Sequence, residues 1–144
     1  KNFGTRPYIS LHLRYEDYGI SDIKSINKLY DESDIHSLIQ QLCKEHGVNE
    51  NDIFVATSNQ NRINNSVLKR YLMLKDTKDY NELESFIDQY ICCRSEHFIY
   101  TGGVLAKQTH IHSRSTWSSF VIDYRKFLLE LNDNSNTYLT DALS

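Results

Sequence analysis

The chain has 144 residues, 40% of them hydrophobic and 24% charged, which is enough apolar material for one core and too little length for two. Sixteen Lys and Arg against nineteen Asp and Glu leave a net charge of -3, which excludes a sequence-independent nucleic-acid binder that works by neutralising phosphates. No run of about 18 apolar residues is available to span a bilayer, and residues 1–15 lack the basic flank and apolar stretch of a secretory signal.

Residues 8–14 (YISLHLR) alternate Ile9, Leu11 and Leu13 with Ser10, His12 and Arg14, and the period of two predicts a strand. Residues 34–46 place Ile35, Leu38, Ile39 and Leu42 at helical spacing behind Ser33 or Asp34 as a cap, with Gly47 as a stop. Residues 52–57 (DIFVAT) read as a strand covered on both faces. A short helix is expected from Ser66. Residues 81–93 put Leu83, Phe86, Ile87, Tyr90 and Ile91 on one stripe, which predicts a helix of about three turns. Residues 97–100 (HFIY) follow as a strand ended by Gly102 and Gly103. The longest predicted helix covers 115–132, with Phe120, Tyr124, Phe127, Leu128 and Leu131 as its apolar stripe.

The alternation of strands with helices predicts an α/β fold: a Rossmann-like, doubly wound, mainly parallel sheet with helices on both faces. Residues 1–144 form a single domain in this reading. No Met opens the chain, so it reads as a piece of a longer protein.

Ligands of such sheets bind outside the carboxyl ends of the strands, and three segments fall there. His12 and Arg14 share a face at the end of the first strand, where Arg14 offers a fork for a pyrophosphate or carboxylate, or pairs with Glu16 or Asp17. Thr57 and Ser58 follow the middle strand, with small polar side chains for a base or ribose. Ser115, Thr116 and Trp117 open the last helix, where unpaired amides and the dipole favour an anion, or where a serine simply caps.

Other features are weaker. His110 and His112 form an H-x-H pair without a third ligand, and no metal site is expected. Cys43 and His46 share a helix face but lack a base partner or oxyanion turn. Cys92 and Cys93 read as small buried residues. Asn64 opens a glycosylation sequon, compatible with a secretory lumen. Neither G-x-G-x-x-G nor a P-loop is present.

Taken together, the strand-end segments resemble the donor-binding half of GDP-fucose-dependent fucosyltransferases, above all the protein O-fucosyltransferase group and its plant and α1,6-fucosyltransferase relatives. Residues 8–17 (YISLHLRYED) resemble the family strand ending in H-x-R, whose Arg contacts the donor diphosphate and the bond being broken. Residues 52–58 (DIFVATS) resemble V-x-A-T-D, with Ser58 in the acidic place. Residues 87–99 (IDQYICCRSEHFI) resemble the stretch ending in A-D-x-F-I, with Glu96 for Asp. Residues 115–120 resemble the S-[ST]-F-S helix start that holds the β-phosphate, with Trp117 for Phe, and Arg125 falls where many members keep Arg. Residues 104–114 look like an insertion.

The resemblance implies one lobe of a GT-B glycosyltransferase. The chain would bind GDP-fucose as donor substrate, without cofactor or metal, for inverting transfer of fucose to a protein or glycan hydroxyl. Arg14 would be catalytic, bracing the leaving diphosphate; Glu16 and Asp17 are the candidates in this chain for the catalytic base, which the missing lobe would otherwise supply. His12, Arg14, Thr57, Ser58, Ser115, Thr116 and Trp117 would contact the donor. An N-terminal lobe of the same protein would supply the acceptor wall, so the isolated chain would not be fully active. The implied compartment is the ER or Golgi lumen in a eukaryote, or the cytoplasm in a bacterium. The competing readings are a non-catalytic nucleotide-sugar-binding or protein-interaction α/β domain, and a flavodoxin-like sensing domain, which would want more strand-end Asp residues than Glu16-Asp17 supplies.

Overall fold

Residues 6–13, 32–57, 82–101 and 116–142 are described in a computed structural model. Strands β1 (Ile9–His12), β2 (Ile53–Ala56) and β3 (His97–Tyr100) lie where the alternating and apolar runs predict them. A fourth, β4 (Asn136–Tyr138), was not foreseen, because its sequence, NTY, carries no apolar run. The sheet order is β2-β1-β3-β4 and every pairing is parallel. Helix α1 (Glu32–His46) connects β1 to β2, helix α2 (Glu82–Cys93) precedes β3, and helix α3 (Thr116–Asp123) follows it. A π-helical turn (Tyr124–Leu128), a 3-10 turn (Asp133–Ser135) and, after β4, helix α4 (Leu139–Ala142) complete the described elements.

Successive side chains of a strand point to opposite faces, so each strand feeds two buried clusters. Ile9, Leu11, Ile53, Val55 and Ile99 pack with Ile35, Ile39 and Leu42 of α1 on one face. Phe54, Ala56, Phe98 and Tyr100 pack with Cys92 and Cys93 of α2 and Val121 and Ile122 of α3 on the other. Chain direction explains the division. The step from β1 to β2 and the steps from β2 to β3 to β4 run opposite ways along the sheet, so right-handed crossovers put α1 on one face and α2 and α3 on the other. The doubly wound α/β reading therefore holds.

Helix α1 stops where expected. Gly47 adopts φ +66° and the Val48 amide donates to the Cys43 carbonyl at 2.9 Å, the closing bond of a Schellman cap. No atom lies within 4 Å of where a Gly47 Cβ would sit, so Gly47→Ala meets backbone strain alone. It should cost about 1 kcal/mol, a fall of roughly 3 °C in melting temperature by calorimetry.

The other two helices form but turn faces not expected from their stripes. On α2 the inward residues are Asp88, Gln89, Cys92 and Cys93, while Leu83, Phe86, Ile87 and Tyr90 are exposed. Small cysteines let the helix end sit close over the sheet, where the Ser10 hydroxyl donates to Ser95 Oγ at 2.7 Å and Tyr8 Oη donates to the Ile91 carbonyl at 2.6 Å. On α3 the inward set is Ser118, Val121, Ile122 and, within the π turn that follows, Arg125, which leaves Phe120, Phe127 and Leu128 outside. The helix is apolar on two sides, and the widened π turn ends it before residue 132. The short helix expected from Ser66, Gly102-Gly103, the 104–114 stretch and the Asn64 sequon lie outside the described residues. No described helix is long and apolar enough to cross a membrane.

Candidate functional site at the carboxyl ends of β1 and β3

The sheet changes direction between β1 and β3, and a parallel sheet opens a crevice at the carboxyl ends of the two strands flanking such a switch. At that end β1 finishes in His12 and β3 leads into Thr101, whose amide donates to the His12 carbonyl at 3.2 Å. Thr57, directly after β2, and Thr101 are both buried. The Leu13 amide donates to the Ala56 carbonyl at 3.0 Å, which carries the ladder one residue past the His12–Ala56 pair toward Thr57.

Alternation directs His12 to the α3 face, and there it meets the helix start. His12 Nδ1 lies 3.2 Å from Ser118 Oγ, and the imidazole stacks on the Trp117 indole with centroids 3.9 Å apart and planes inclined by 18°. Trp117 is fixed in turn. Its indole N–H donates to Ser85 Oγ at 2.9 Å and its carbonyl accepts from the Gln89 amide at 3.4 Å, both from α2. His12 is 7% exposed, so its ring is locked between strand and helix rather than projecting into the crevice.

The structure thus joins two of the segments singled out in the sequence, although 106 residues separate His12 from Ser118. Trp117 and Thr57 are at this end of the sheet, and Thr116 opens α3 with its side chain outside the described residues. Arg14, Glu16, Ser58, Ser115, His110 and His112 also lie outside them. Sequence reasoning placed Ser118 in the helix-start segment without giving it a role of its own, and missed Thr101, Ser85 and Gln89. Thr101 was open to discovery by the strand-end rule applied to β3; Ser85 and Gln89 carry no sequence signal, since only packing of α2 on α3 selects them.

Arg125 is also apart from the crevice. It bonds to groups that precede β3 and β4, at the amino ends of the strands. Cys43, Cys92 and Cys93 are free and buried. Burial pushes the Cys43 and Cys93 thiols up to about 11 and holds Cys92 well above the ordinary thiol range, so none is a thiolate at neutral pH.

No family model, curated protein or solved structure matches the chain.

Proposed function

We propose that the chain is the donor-binding lobe of a GDP-fucose-dependent fucosyltransferase of GT-B architecture. The supporting observation is the packing of His12 on Trp117 and Ser118, which sets the end of β1 against the start of α3. Helix α3 begins there with amides that lack intrahelical partners and with the positive end of its dipole, the requirement of a diphosphate.

In this reading Arg14, two residues beyond His12 in sequence, and the hydroxyls of Ser115 and Thr116 brace charge growing on the departing GDP. His12 positions the helix start, and Thr57 and Ser58 border the nucleoside. Glu16 is a candidate to activate the acceptor hydroxyl, a protein or glycan group presented by another lobe. The compartment is the ER or Golgi lumen in a eukaryote, or the cytoplasm of a bacterium. A second reading, a nucleotide-sugar-binding module without turnover, is favoured by Ser58 standing where the family keeps a carboxylate.

Calorimetric titration of GDP and GDP-fucose tests the proposal. Arg14→Ala should weaken binding by roughly 30-fold or more, the loss of a charge-assisted pair of hydrogen bonds, and Arg14→Lys should not restore it. Equal binding by wild type and Arg14→Ala, or none by either, would sink the donor site. GDP release with candidate acceptors, measured on the parent protein, separates transferase from binding module.

A further inference from the structure

Helix α2 carries Leu83, Phe86, Ile87 and Tyr90 at i, i+3, i+4 and i+7, one stripe on its side away from the sheet. Their exposures are 66, 64, 39 and 58%. Apolar surface concentrated on one element is uncommon on a monomer and marks an interface. Phe120 on α3, the helix that packs beside α2, is 52% exposed as well.

Charge identifies the occupant. The first turn of α2 is acidic, with Glu82 and Glu84, and its last turn has no basic residue. Directly after it comes exposed Arg94, whose guanidinium lies 5.6 Å from the centroid of the Tyr90 ring, at the far end of the stripe. One end of the patch is therefore negative and the other positive. An antiparallel copy of the same helix has the complementary order: with a two-fold axis crossing between Phe86 and Ile87, Leu83 faces Tyr90, Phe86 faces Ile87, and Arg94 approaches the acidic first turn of its mate. The helix dipoles also oppose. A parallel pair would set acid against acid. A membrane surface would want a basic rim around the stripe, whereas here one end is acidic.

We propose that the α2 face is a self-association surface on which a second copy of this chain docks antiparallel across a two-fold axis. Helix α2, with 12 residues, is about 18 Å long. Its stripe offers roughly 400 Å² of uncovered apolar surface, half of the ~800 Å² per partner in a standard interface. That size suits a micromolar dimer. The proposal does not depend on the donor site.

Sedimentation equilibrium of the chain up to about 100 µM, well above a micromolar constant, is the test. Wild type should approach twice 16.9 kDa. Phe86→Glu, at an exposed position that the fold does not need, should remain at the monomer mass with an unchanged circular dichroism spectrum. Arg94→Glu should weaken association roughly tenfold, and Glu82→Lys added to it should recover most of that loss. A wild type that stays monomeric, dimerisation by Phe86→Glu equal to wild type, or a charge swap without recovery would each overturn the proposal. A monomer whose α2 is instead covered by another segment or by a different protein counts among those refutations.

Discussion

Replacing Arg125 by Met is expected to lower stability by about 3–5 kcal/mol, a larger loss than any exposed substitution in the chain would give. The guanidinium is fully buried. Its Nη1 donates to the carbonyls of Cys92, Cys93 and Ser95 and to Ser95 Oγ, at 2.6 to 3.4 Å. Nη2 donates to the carbonyls of Glu96 and Ser135 and to Ser135 Oγ, and Nε to Asn136 Oδ1 at 2.8 Å. None of these acceptors is a carboxylate. The charge rests on oriented carbonyl dipoles, among them the last carbonyls of α2, which have no intrahelical donor and form the negative end of its dipole. Burial lowers the Arg125 pKa, yet arginine stays charged under any folding condition.

One side chain thereby caps α2, holds the turn into β3 and ties the turn into β4. Methionine fills much of the volume but orphans several carbonyls, each a cost of about 1–3 kcal/mol where water cannot enter. Lysine keeps the charge without the planar fork, and Arg125→Lys should lose roughly 2 kcal/mol. Urea unfolding followed by circular dichroism measures both. A shift under about 1 kcal/mol for the Met variant would show that the carbonyls find other partners.

The three central strands were legible in the sequence because alternation and short β-branched runs are local signals, and the Gly47 stop was legible because a positive φ selects glycine. Helix faces were not. For α2 and α3 the apolar stripe points to solvent, since the sheet face is decided by cysteines small enough for close approach and by an arginine with carbonyls to reach. Both are long-range conditions that a 3.6-residue period does not contain. Strand β4 was hidden for a related reason: Asn136 serves Arg125 and Thr137 serves His97, so an edge strand carries polar residues where an apolar run would betray it. Of the candidate site, the strand-end rule selected His12, Thr57 and the α3 start, whereas the lock, Ser118 on His12 with Ser85 and Gln89 on Trp117, arises only when α3 packs on the sheet and on α2.

His97 sets the expected response to acid. Its ring is buried, Nε2 lies 2.5 Å from Thr137 Oγ1, and Nδ1 has no hydrogen-bond partner among the described residues. Burial foremost, then the neighbouring charges of His46 and Arg125, push its pKa down from 6.5 to about 4. The His46 ring lies 4.7 Å away, centroid to centroid, so a proton on one imidazole opposes a proton on the other. The unfolded chain binds the His97 proton near pH 6.5 and the folded chain only near pH 4, so stability is undiminished above about 6.5 and falls as pH drops between the two values. Each pH unit in that window removes up to about 1.4 kcal/mol, roughly 3 kcal/mol in all, and below about pH 4 this contribution no longer changes. His97→Gln can keep a bond to Thr137 without binding a proton, and it should flatten the loss between pH 6.5 and 4 by most of that amount. Urea unfolding of both proteins at a series of pH values decides the matter: parallel curves would mean that another group, and not His97, takes up the acid proton.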